Sequence, residues 1–123
     1  MSVPFDTIAK VEPFIIRIPY KQVLSDSRRG HARSSNSQTS LLVRVRGGSG
    51  QEGWAEVGVS PQRDGLQAAQ LIDAIDRILA PAVVGTEVGN FALMHRKMDS
   101  AIAGYYRVKA AVESAAYDLL GKS

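Results

Sequence analysis

The stretch from Leu41 to Glu56 constrains the fold more than any other part of this chain. Val43 and Val45 alternate with Arg44 and Arg46, the period-two pattern of a strand with one buried face. Gly47-Gly48-Ser49-Gly50 then supplies positions that tolerate positive φ, and Gln51 to Val57 returns as a second strand. Before it, Phe14, Ile15, Ile16 and Ile18 with Arg17 interposed predict another strand over about 8–18. Pro13 argues for an edge position or a late start to that strand, because proline cannot donate to a ladder, and Pro19 ends it. Three strands, over about 8–18, 41–46 and 51–57, make an antiparallel meander with one face to cover. Trp54, the single tryptophan, belongs either to the core or to a surface that another domain covers.

Everything after the meander reads as helix. From Asp64 to Leu79, the residues Leu71, Ile72, Ile75, Ile78 and Leu79 form one apolar stripe, with Pro81 and Gly85 expected to close the helix. Asn90 is a good N-cap for a helix over about 90–103, with Phe91, Met94, Met98 and Ile102 along one face and Gly104 as its break. A last helix over about 106–120 carries Val108, Ala111, Val112, Ala115, Leu119 and Leu120, with Gly121 as C-cap. Its small alanines imply close approach to a helix or to the sheet. The fold class is α+β: a three-stranded antiparallel meander followed by a three-helix layer, in a single domain of 123 residues.

Between the first two strands, residues 20–40 are rich in serine and arginine and show no periodicity. Unstructured loops longer than about 12–15 residues are uncommon in compact domains and are usually functional or disordered. Lys21, Arg28, Arg29, His31 and Arg33 face a single acid there, Asp26. One reading is a solvated, mobile loop. The sharper one is a basic flap that concentrates a small anion beneath it. Nucleic acid is excluded as a partner, because the basic residues lack interleaved aromatics and do not form a basic helix face.

No catalytic set is visible in the residues themselves. The absence of cysteine removes thiolate nucleophiles and Cys-ligated zinc, and it fits a reducing cytoplasm. No apolar run approaches the roughly 18 residues of a spanning helix, and the N-terminus has no signal-peptide core. The two histidines, His31 and His95, lie far apart in sequence, and His95 reads as a surface or semi-buried structural residue rather than a metal ligand. The glycines of residues 47–53 do not follow phosphate-cradling spacing. Asp73 and Asp76 read as a wet helix face, and Arg107 with Lys109 as a solvated edge.

Taken in order, these pieces resemble the N-terminal capping domain of the mandelate racemase/muconate lactonizing enzyme family of the enolase superfamily. Phe14-Ile15-Ile16-Arg17-Ile18-Pro19-Tyr20 resembles its first strand, and Ser25-Asp26-Ser27 the start of its variable flap. Leu42-Val43-Arg44-Val45, Gly50 and Gly53-Trp54-Ala55-Glu56 resemble its hairpin, where the family usually has glycine in place of Ala55. Asp76-Arg77-Ile78-Leu79-Ala80-Pro81 with Gly85 resembles the exit of its first helix. Met98, then Lys109-Ala110-Ala111-Val112-Glu113 and Asp118-Leu119-Leu120-Gly121-Lys122, resemble the helices that lead to a barrel.

The resemblance implies a cap that closes over a (β/α) barrel whose active site lies at its C-terminal face. The implied reaction is Mg-assisted proton abstraction alpha to a carboxylate, in a racemase or acid-sugar dehydratase. Mg and the catalytic bases would sit in the barrel, beyond Ser123, so this chain itself is expected to bind no cofactor and to have no activity alone. Two regions are implied to face substrate: Tyr20, Asp26, Ser27, Arg28, Arg29 and His31 of the flap, and Glu56, Val57, Val59 and Ser60 at the strand exit. The expected partners are that barrel and a small carboxylate, with no membrane and with self-association into a homo-oligomer. The alternative is a stand-alone module of the same fold that binds small anions or oligomerises.

Overall fold

The structure, a computed structural model, describes residues 6–19, 25–26, 31–32 and 37–122, and at 25–26, 31–32 and 37 the backbone only. Strands β1 (Ile8–Pro19), β4 (Ser37–Gly47) and β5 (Glu52–Gly58) form an antiparallel sheet in the order β1-β4-β5. A two-residue ladder, β2 (Ser25–Asp26) on β3 (His31–Ala32), lies between the first two in sequence. The helical part runs α1 (Pro61–Asp64), α2 (Ala68–Ala74), a π-helical turn (Ile75–Leu79), α3 (Ala80–Val83), α4 (Phe91–Ala101) and α5 (Tyr106–Gly121).

The central strand shows why the sheet forms as it does. Leu41, Val43 and Val45 are fully buried, while Leu42, Arg44 and Arg46 alternate onto the other face. Helix α5 covers the buried face with Val108, Ala111, Val112, Ala115, Ala116 and Leu119. Met94 and Met98 of α4, and Leu71, Ile75, Leu79 and Val83 of the α2–α3 run, complete one core. Gly53 allows α5 to lie directly on β5: a Cβ built there would meet the Ala115 carbonyl oxygen at 2.0 Å. Asn90 caps α4 by accepting a bond from the Leu93 N–H at 3.2 Å.

Three expectations from sequence are corrected. First, β4 begins at Ser37, so residues 37–40 are strand rather than loop, paired from Pro19↔Ser37 to Ile16↔Ser40. Polar Ser, Thr and Gln carry no hydrophobic signal, but the ladder to β1 satisfies their backbone all the same. Proline at 13 is tolerated within β1 because this strand is an edge. Second, Asp64 belongs to the short α1, and Gly65 at φ 74° separates it from the next helix. Third, Pro81 does not close the helix but sits in the first turn of α3. Its ring would collide with the carbonyl four residues back, and the preceding π turn, with the Ala80 N–H bonded to the Ile75 carbonyl, widens the helix just before it.

The other sheet face is not covered by any described helix. Arg44 lies there between two rings, 4.9 Å from the Phe14 centroid and 5.4 Å from that of Trp54. Its Nη2 donates to Glu12 Oε1 at 2.6 Å. Trp54 is 38% exposed, so of its two sequence readings the surface one holds.

Candidate functional site

Antiparallel pairing brings three chain ends to one end of the sheet. β1 finishes at Pro19 opposite Ser37, where β4 starts, and β5 finishes at Gly58 opposite Ser40. The Val59 N–H donates to the Thr39 carbonyl at 3.0 Å, which extends the register past the strand. The segment 20–36 and the exit at Val59-Ser60 therefore spring from the same end. Tyr20, Ser27, Arg28 and Arg29 lie outside the described residues, and Asp26 and His31 are described only as paired backbone.

The strand-exit residues divide by the period of two. Glu56, opposite Leu42, is exposed on the open face, whereas Val57, opposite Leu41, packs against the core together with Val59. Ser60 precedes α1 and accepts a bond from the Arg63 N–H through its carbonyl, at 3.0 Å.

Beside Val57 and Gly58 a groove of about 450 Å³ opens, a size typical of small-molecule sites. Leu66, Leu71 and Val108 form its apolar walls, and Tyr105 and Tyr106 its rim. Its charged groups are Arg107 and Asp64, with Nη1 3.5 Å from Oδ2. The turn from α4 to α5 shapes it, since Gly104 and Tyr105 are both left-handed, at φ 69° and 55°. Sequence reasoning missed this lining. The one available signal was Gly104-Tyr105-Tyr106 standing between two apolar stripes. What the groove supplies is binding surface, with apolar walls and one ion pair.

Lys109 overturns its reading as a solvated residue. It is 3% exposed, and its Nζ donates to Asp99 Oδ1 at 3.0 Å and to the Ile102 carbonyl at 2.6 Å. Because the α4–α5 turn is short, the lysine stem folds back along the end of α4, where the carbonyls of the last helical turn lack partners and favour a cation. The bond to Lys109 also holds the Asp99 carboxyl below the usual carboxylate range. Among the described residues, no three His, Cys, Asp or Glu side chains are grouped so that they could hold a metal ion. The described donor set does not fit Mg, and no step is routed through it.

Residues 24–123 match the sequence profile of the mandelate racemase / muconate lactonizing enzyme, N-terminal domain. The chain belongs to this family. As a member of it, the chain is 29% identical over 90 residues to the L-Ala-D/L-Glu epimerase of Clostridium acetobutylicum, a span of 73% of this chain and 25% of that protein. It is 27% identical over 111 residues to the epimerase of the same name from Bacillus subtilis, covering 90% of this chain and 29% of that one. Among solved structures, the muconate lactonizing enzyme of Pseudomonas fluorescens, complexed with muconolactone, superposes with a TM-score of 0.81 at 25% identity. That match covers 97% of this chain and 32% of the other. A dipeptide epimerase from Enterococcus faecalis V583, complexed with Mg and the dipeptide L-Leu-L-Tyr, gives 0.81 at 25% identity, over 94% and 31%. The chain thus has the capping-domain fold and spans less than a third of the length of these relatives. No helix among the described residues is long and apolar enough to cross a membrane.

Proposed function

We propose that this chain is the capping and specificity domain of an enolase-superfamily enzyme that abstracts a proton alpha to a carboxylate, and that it has no activity alone. The observation that carries this is the shared sheet end: the roots of the segment 20–36, the β5 exit and the groove all open on one side of a fold shared with epimerases, racemases and cycloisomerases. Of the two reaction classes expected from sequence, the racemase arm is favoured over the acid-sugar dehydratase, because the named relatives include dipeptide epimerases and an N-succinyl-Arg/Lys racemase. In this reading the flap residues Tyr20, Asp26, Ser27, Arg28, Arg29 and His31 lie over a small carboxylate, with Val57 at the wall beside it. Glu56, Val59 and Ser60 position the strand exit. Mg and the proton-transferring bases belong to the barrel partner. Closure is what gives the flap charges weight: a pair of unit charges 4 Å apart is worth only about 1 kcal/mol in bulk water and several times more once water is excluded.

The test is a domain exchange. Residues 1–123 replace the N-terminal domain of the Bacillus subtilis epimerase, and α-proton exchange into deuterated solvent is followed with a panel of dipeptides and hydroxy acids. The fusion is expected to exchange protons with a substrate preference unlike that of the parent, and the isolated chain to exchange none. Exchange catalysed by the isolated chain, or a folded fusion with the parent's unchanged preference, refutes the reading.

A further inference from the structure

We propose that His95 is a pH-operated staple between α4 and α5, closed when its ring carries both protons. The ring stands between two carboxylates on different helices. Nδ1 lies 2.7 Å from Glu113 Oε1 on α5, and Nε2 lies 3.1 Å from Asp99 Oδ2, one turn along α4. A neutral imidazole has one N–H and one lone pair. In either tautomer, one nitrogen would therefore confront a carboxylate oxygen lone pair to lone pair. Only the imidazolium donates to both sides, so the geometry is that of the charged ring.

The remaining charged group facing the ring is Lys109 of α5, whose Nζ holds the other oxygen of Asp99. Glu113, His95, Asp99 and Lys109 thus alternate in sign along one chain of contacts when the ring is protonated. Deprotonation leaves one carboxylate without a counter-charge. The Glu113 hydrogen bond, then the charges of Asp99 and Glu113, raise the ring above its ordinary value of 6.5, against smaller opposing effects of desolvation and Lys109. A raised histidine contributes stability that is complete below the unfolded value and is lost as pH rises through the folded one.

The staple reaches the groove through shared partners. Asp99 anchors Lys109, and Lys109 holds the Ile102 carbonyl at the entry to the turn whose residues 103–105 line the groove. Opening the staple on the alkaline side loosens that wall.

The experiment is an imidazole NMR titration of the whole chain, with amide hydrogen exchange at residues 103–106 corrected for intrinsic rates. The His95 midpoint is expected above 6.5 and to fall toward it in Glu113→Gln. Corrected exchange is expected to speed up several-fold between about pH 5.5 and about pH 8 in the parent chain, and to become independent of pH in both Glu113→Gln and His95→Gln. A midpoint at or below 6.5, a midpoint unmoved by Glu113→Gln, or a pH dependence that survives both variants overturns the staple.

Discussion

Gly53→Ala is the most demanding test of how α5 sits on the sheet. The added Cβ would lie 2.0 Å from the Ala115 carbonyl oxygen, 2.5 Å from the Leu119 nitrogen and 2.8 Å from the Leu119 Cβ. Two of these are backbone atoms, so no side-chain rotation relieves the clash. Ordinary contact begins near 3.4 Å, and the helix must retreat by roughly 1.4 Å where it crosses β5. Overpacking of this kind costs about 1–3 kcal/mol. The retreat also lifts Ala111, Ala115 and Leu119 off the strand, and a gap of that size forfeits about half or more of their contact energy, on the order of 1–2 kcal/mol. The expected loss is therefore about 3–5 kcal/mol, against about 5–15 kcal/mol for a whole domain. Urea unfolding followed by circular dichroism measures it, with Gly121→Ala as control because a Cβ there meets nothing within 4 Å. A loss below about 1 kcal/mol for Gly53→Ala, or an equal loss in the control, refutes the close-approach argument.

Trp54→Ala should cost about 1 kcal/mol rather than the roughly 3–5 kcal/mol of a core aromatic, because only its contacts to Phe14 and Arg44 on the open face are lost. Chemical unfolding checks this, and a loss above about 3 kcal/mol would mean that the ring is buried. Lys109→Met strands the Asp99 carboxylate and the Ile102 carbonyl and should cost about 2–3 kcal/mol, less than a fully buried pair because Asp99 is half exposed. A stable Lys109→Met variant with an unchanged α4–α5 turn would argue against the lysine as its anchor. Asp118 is held below the usual carboxylate range by the Trp54 N–H, then by Lys122, and Asp6 likewise by Ser49. Lowered carboxyls contribute stability that is present above their unfolded values and lost as pH falls through the folded ones, so urea midpoints should drop below about pH 4. Asp118→Asn should flatten that drop, and an unchanged acid limb would exclude its contribution.

How far the sequence could be read depended on whether a position's signal was local. The alternation of Val43 and Val45 with the arginines placed the central strand and its buried face, because side-chain direction in a strand follows from the backbone alone. Asn90 announced α4 for the same kind of reason, since a cap is made within one turn. Ser37 to Ser40 were invisible because their strand depends on a partner some twenty residues earlier. Lys109 was misread because sequence shows its charge and not the carbonyl folded back over it. Its neighbour Arg107 does stay half exposed, paired with Asp64 across the groove.

The sequence by itself determined the order and type of the elements, the face of the sheet that is buried and the family. All of these rest on periodicity and on short motifs that each segment carries within itself. Only the tertiary structure decided where the groove opens, that Trp54 faces outward, and that His95 joins two helices. Each of those depends on side chains distant along the chain meeting at distances set by packing, and no local pattern encodes such a meeting.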